Sequence, residues 1–198
     1  MNTRQSAAGE RRIPNALTIA GVDPSGGAGI LADVKAMSAL GAYGCAVIAA
    51  LTAQNTQGVT GISPVPPDFV GLQIDTLFTD VRIDAVKIGM LGQKPVIQVV
   101  AEKLAKWAPA HVVLDPVMVA KSGDLLLERE AVGAMREAML PQATLLTPNL
   151  PEAGVLLEER PVDRVKEMRR VAERLRNKMA HSGQRWVCLL YTSPSPRD

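Results

Sequence analysis

The sequence predicts a doubly wound α/β domain: a mostly parallel sheet with helices on both faces. Three observations carry this expectation. Short, apolar, β-branched runs recur along the chain, as strands buried on both faces require. Stretches of helical character separate them, which favours right-handed crossovers. Finally, no internal repeat, low-complexity linker or composition break divides the 198 residues, so one domain is expected.

Taken in order, residues 1–14 read as a disordered lead-in, and residues 15–187 as the domain. The predicted strands are 16–20 (ALTIA), 46–51 (AVIAAL), 85–88 (AVKI), 112–114 (VVL) and 143–146 (ATLL). Helical patterns occupy 29–40, 67–79, 95–107, 128–139 and 162–181. In the last of these, Val165, Met168, Val171 and Leu175 recur three and four apart. Arg185, Trp186 and Val187 begin a further strand.

Composition excludes several functions. Only 3% of residues are aromatic, too few for a base-stacking surface, and the net charge is +2. The densest basic cluster mixes Arg169, Arg170, Arg174, Arg176 and Lys178 with Glu167 and Glu173, as a solvated helix face does. No nucleic-acid partner is expected. The longest apolar run, 45–53, is about half a membrane span, and no apolar core follows Arg11 and Arg12 to make a secretory signal. Cys45 and Cys188 form neither a metal-ligand spacing nor a disulfide framework. A cytoplasmic protein with a small-molecule partner is the plain expectation.

In an open α/β sheet the ligand crevice lies outside the carboxyl ends of the strands. The polar residues placed there are Asp23, the group Gln54, Asn55 and Thr56, Lys87, Asp115, Thr147 and Asn149. Ahead of the first helix lies GVDPSGGAGI, with Gly21, Gly26, Gly27 and Gly29 in nine residues. A Walker A loop fails here, because Gly27 and Ala28 stand where lysine and a hydroxyl residue belong. The dinucleotide fingerprint fits residues 27–32, but no acidic residue occurs from Val34 to Gly61 to hold a ribose. That gap argues against a nucleotide-dependent oxidoreductase. A tight strand-to-helix turn accounts for one or two glycines. Four favour a small ligand touched by backbone, with Asp33 one helical turn further on.

Asn149 and Glu152 form an N-x-x-E unit opening a helix. It reads equally as a capping box and as an amide and carboxylate holding magnesium through water near phosphates. Asp115-Pro116 is either a turn former or a crevice carboxylate, and Lys121, Ser122 and Gly123 are expected to follow on a loop. Lys87, inside a strand pattern, either points into the crevice or reaches the surface, the second being the plainer reading, and His111 and His181 read as incidental. Neither G-x-S-x-G nor H-E-x-x-H occurs.

Together, ALTIAGVDPSGGAGILADVKAMSALGAYGCAVIAALTAQNT, VRIDAVKIGMLG, VVLDPVMVAKSGD and MLPQATLLTPNLPEA resemble, in order, the bacterial hydroxymethylpyrimidine/phosphomethylpyrimidine kinases of thiamine biosynthesis. The resemblance implies the ribokinase-like fold and ATP-dependent phosphorylation of the pyrimidine alcohol and then of its monophosphate. It implies ATP and Mg2+ as cofactors and a homodimer for the complete enzyme. By the same resemblance Gly21, Asp33, Gln54, Met90 and Val117 line the pyrimidine pocket. Asp115, Asn149 and Glu152 lie near the nucleotide phosphates, with Glu152 at the metal. Pyridoxal kinase, of the same superfamily, is the alternative; a pyrimidine-binding piece without catalysis is another.

Such kinases continue past the position of Val187 with a Lys-Gly-Gly strand and a Gly-Thr-Gly-Cys loop, which supplies the anion hole and the catalytic residue. Neither occurs here. Residues 188–198, CLLYTSPSPRD, back-translate codon by codon to a transposase adapter of tagmented sequencing libraries. They are expected to be foreign to the gene, so Cys188 is not read as a catalytic cysteine. The expectation is therefore a domain incomplete at its C-terminus, with an uncovered sheet edge and no catalytic residue of its own.

Overall fold

The computed structural model describes residues 12–118, 129–160, 165–180 and 183–190. Strand β1 (Asn15–Val22) lies near the middle of a seven-stranded sheet. Its partners are β2 (Tyr43–Gln54) on one side and β4 (Ala85–Ile88) on the other. Beyond β2 lies β3 (Val59–Pro64); beyond β4 come β5 (Val112–Leu114), β6 (Leu145–Leu146) and β7 (Trp186–Val187). The order is β3-β2-β1-β4-β5-β6-β7, with every pairing parallel except β2 with β3. The chain thus winds outward in both directions from β1, as expected.

The antiparallel β3 is an element the sequence does not announce. Its segment, VTGISP, is largely exposed, contains Gly61 and ends in Pro64, so it lacks the apolar signature of the central strands. It forms by pairing with an extended β2, the turn being built by Asn55. The Asn55 side-chain oxygen accepts from the Gln57 and Gly58 amides. That binding fixes Asn55 as a turn residue. Where β3 does not reach, the Gln73 side chain substitutes for a strand, accepting from the Ile48 amide and donating to its carbonyl.

Alternation along the strands separates two faces. Leu17 pairs with Val86 and Ile19 with Ile88, and all four belong to the main apolar core. Helices α2 (Pro67–Asp80) and α3 (Lys94–Trp107) add Val70, Ile74, Val96, Ile97, Val100 and Leu104 to that core. Asp75 ties the two helices together by accepting from Lys103, Lys106 and the Trp107 indole. Against β1 and β2 packs α1 (Gly29–Ala39), to which β1 offers the fully buried Thr18.

The helix expected over 128–139 is α4 (Arg129–Ala134), which loosens into a π-helical turn, Met135–Met139, and then a 3-10 turn, Leu140–Gln142. Pro141 lacks the N–H that would carry the helix further. Helix α5 (Leu150–Leu157) follows the N-x-x-E unit, and α6 (Val165–Lys178) buries Val171 and Leu175. Residues 188–190 continue beside β6, the Cys188 and Leu190 amides donating to the Leu146 and Pro148 carbonyls. Residues 1–11, the Lys121-Ser122-Gly123 loop, His181 and 191–198 lie outside the described residues.

Candidate functional site

The winding reverses between β1 and β4, and a doubly wound sheet opens a crevice at that point. A cavity of about 510 Å³ lies there. Gly21 and Asp23 come from the end of β1, Thr52 and Gln54 from β2, Met90 from the loop after β4, and Val117 from the loop after β5. Two irregularities aim these residues. The β1–β2 register shifts between Ala20 and Gly21, and the β2–β3 register shifts between Ala53 and Gln54. Bulges of this kind redirect side chains beside a site.

Of the five residues expected to line a substrate pocket, Gly21, Gln54, Met90 and Val117 share this cavity. Gly21 forms its floor with Met90: the Gly21 amide donates to the Met90 carbonyl at 3.1 Å. The Thr52 hydroxyl lies between the Val22 carbonyl (2.8 Å) and the Gln54 side-chain oxygen (3.2 Å), holding the Gln54 amide at the rim. Val59, Ile62 and Pro64 from β3 complete an apolar wall.

Asp33, the fifth, lies outside the residues lining this cavity. Its carboxylate turns toward the sheet, where Oδ2 accepts from the Thr18 hydroxyl (2.6 Å) and the Lys87 ammonium (2.9 Å). Of the two readings of Lys87, the structure favours the inward one. Thr18 and Lys87 are register partners on β1 and β4, and both face α1. The ammonium also lies 4.0 Å from Asp115 Oδ2. Burial raises the Asp115 carboxyl above its ordinary value; Lys87 opposes that rise and Asp33 adds to it.

The glycine loop cradles Asp23, and its Ala28 and Gly29 also line the cavity. Asp23 is 5% exposed, and Oδ1 accepts from the Ser25 amide. Its Oδ2 accepts from the Ser25 hydroxyl and the Gly27 and Ala28 amides, while the Gly26 amide donates to the Asp23 carbonyl. Backbone amides ahead of a helix ordinarily converge on an anion, and here the anion is the protein's own. Burial pushes the Asp23 carboxyl up, but the Ser25 hydroxyl and the three amides more than offset that and hold it below the usual range. Gly26 and Gly29 take positive φ (70° and 57°), and a Cβ at Gly29 would collide with the Gly21 carbonyl. The chain's own packing therefore requires these glycines.

Asn149 and Glu152 form a complete capping box. Asn149 Oδ1 accepts from the Glu152 amide (2.8 Å), and Glu152 Oε2 accepts from the Asn149 amide (3.0 Å). Glu152, 4% exposed, also accepts through Oε1 from the Met118 amide, tying α5 to the loop that carries Val117. Among the described residues no group of three or more acidic, histidine or cysteine side chains could hold a metal ion. Magnesium keeps waters and takes one or two carboxylates together with phosphate oxygens. Glu152 fits that role only alongside a phosphate-bearing ligand.

The sequence reading had not singled out Thr52. Its signal was its place two residues before Gln54 on a strand, where side chains share a face.

A family model described as phosphomethylpyrimidine kinase matches residues 23–187. The chain belongs to the phosphomethylpyrimidine kinase family. The hydroxymethylpyrimidine/phosphomethylpyrimidine kinase of Escherichia coli strain K12 is 57% identical over 144 residues, covering 73% of this chain and 54% of that protein. The chain thus spans about half the length of that relative. The crystal structure of a phosphomethylpyrimidine kinase from Clostridium difficile 630 superposes with a TM-score of 0.83 at 41% identity, covering 89% of this chain and 74% of the other. A pyridoxal kinase from Bacillus subtilis, solved as an ADP complex, follows at a TM-score of 0.78 and 34% identity, covering 85% of this chain and 64% of the other. These neighbours share the ribokinase-like architecture that the family implies. No helix among the described residues is long and apolar enough to cross a membrane.

Proposed function

We propose that this chain forms the acceptor-binding part of an ATP-dependent kinase that phosphorylates 4-amino-5-hydroxymethyl-2-methylpyrimidine and then its monophosphate, in thiamine biosynthesis. The single observation that carries this is the cavity at the β1–β4 divide. Its walls are apolar, suited to a flat heteroaromatic ring, and the Gln54 amide at its rim offers a donor and an acceptor to an aminopyrimidine edge. The glycine loop, already filled by Asp23, belongs to this acceptor side and is unsuited to holding nucleotide phosphates. Phosphoryl transfer depends on positioning and charge stabilisation. Asp115, Asn149 and Glu152 are the residues proposed to face ATP, with Glu152 at magnesium. The family reading also brings a cytoplasmic setting and a homodimeric complete enzyme.

The test is binding by the chain itself. Calorimetric titration with the aminopyrimidine alcohol should give a saturable heat that is absent, or at least about tenfold weaker, with pyridoxal. Preference for pyridoxal, or no binding of the pyrimidine, would overturn the proposal.

A further inference from the structure

Lys87 stands between two carboxylates beside the elements that line the cavity. Its ammonium donates to Asp33 at 2.9 Å and stands 4.0 Å from Asp115, while the buried Thr18 hydroxyl fixes Asp33 from the other side. The three charged side chains come from α1, β4 and the loop after β5, so this contact joins separate elements. Gly89 makes room for it: a Cβ there would lie 2.8 Å from the Lys87 ammonium and 3.0 Å from the Ala20 Cβ. Next along the chain is Met90, which meets Gly21 at the cavity floor. Asp115 in turn lies two residues before the cavity-lining Val117, whose amide donates to the Asp115 carbonyl, so the charged trio adjoins two stretches that line the cavity.

We propose that Lys87 is a positioning residue whose ammonium holds Asp33 and Asp115 in place and offsets their charge, so that the cavity accepts a pyrimidine already carrying a phosphate. This rests on the acceptor reading above and extends it to the second phosphorylation. Without the lysine, two uncompensated carboxylates would adjoin a phosphate dianion, and like charges in a partly buried setting are weakly screened. A neutral alcohol would feel that change little. Lys87 does not have to touch the ligand to have this effect.

The experiment compares the full chain with Lys87→Met and Lys87→Arg. Calorimetry is expected to show Lys87→Met losing at least about tenfold in affinity for the pyrimidine monophosphate while binding the alcohol within about twofold of the unmodified chain. Lys87→Arg should retain both. Equal losses for the two ligands, or no loss for either, would overturn the proposal. A second readout needs no ligand: the Asp115 carboxyl carbon followed by NMR through a pH titration. Among the described residues, the charged groups facing it are Lys87 from β4 and Asp33 from α1. Its titration should move upward in Lys87→Met and stay near its original position in Lys87→Arg; an unmoved Asp115 in Lys87→Met sinks the idea. Failure of the unmodified chain to bind either pyrimidine would instead count against the acceptor reading, with the titration deciding the lysine's role.

Discussion

Gly21 and Met90 meet twice: the Gly21 amide donates to the Met90 carbonyl at 3.1 Å, and a Cβ on Gly21 would lie 2.9 Å from the Met90 Cε. The backbone bond fixes the β1–β4 divide, and the missing side chain lets the Met90 methyl lie across the cavity floor. Gly21→Ala is therefore expected to displace a flexible methyl rather than the backbone. Pyrimidine affinity should fall about tenfold while the melting temperature changes by only a few degrees, about 1 kcal/mol or less. Unchanged affinity in calorimetry would remove Gly21 from the floor.

Asp23→Asn tests the internal anion of the glycine loop. The carboxylate accepts four hydrogen bonds, and an amide in its place turns an NH2 group toward donors. A loss on the order of 1–3 kcal/mol in denaturant unfolding is expected. The pH dependence has a definite sign. The folded carboxyl is held below its ordinary value, so its contribution is present above the unfolded value and is lost as pH falls through the folded one. Between those values the unmodified chain should lose stability on acidification more steeply than Asp23→Asn; parallel profiles would contradict this account.

How far the sequence reached can be judged from particular residues. The parallel strands and amphipathic helices were legible because burial on both faces forces apolar runs, and burial on one face forces a period near four. Strand β3 was not, because an exposed antiparallel edge needs no apolar pattern and exists only through its pairing with β2. The cavity group Gly21, Gln54, Met90 and Val117 came from resemblance; spacing alone does not bring β1, β2 and two distant loops together. Lys87 is ambiguous in the sequence for a physical reason. A lysine in a strand pattern usually reaches solvent, and only the Thr18–Lys87 register with the approach of α1 shows that it meets Asp33. A count of glycines does not separate ligand contact from backbone demands, and Gly26 and Gly29 answer to backbone geometry and close packing as well.

Gln54→Ala should weaken pyrimidine binding by about 1–3 kcal/mol, because ring and amino groups that met an amide would be left without partners. Thr52→Val, which removes the hydroxyl beside that amide, should cost less, about 1 kcal/mol, through loosened orientation. Both variants should fold normally, since Gln54 and Thr52 lie at the rim rather than in the core. Calorimetric affinity equal to that of the unmodified chain in Gln54→Ala would exclude the amide from recognition.

Asn149 and Glu152 both build the cap of α5, and variants of the two separate that role from the magnesium role proposed for Glu152. Asn149→Ala removes the acceptor for the Glu152 amide and should cost about 1 kcal/mol, the usual value of an N-cap. Glu152→Gln keeps the size of the side chain and one acceptor oxygen, but its NH2 group must face one of two amides, Asn149 or Met118. The loss should therefore be larger, on the order of 1–3 kcal/mol, and the amide signals of Met118 and its neighbour Val117 should shift in NMR spectra while those of α1 stay in place. If Glu152 also serves magnesium beside a phosphate, Mg2+ added with ATP should perturb the α5 N-terminus in the unmodified chain and in Asn149→Ala, but not in Glu152→Gln. Identical magnesium responses in all three chains would leave Glu152 as a structural cap and no more.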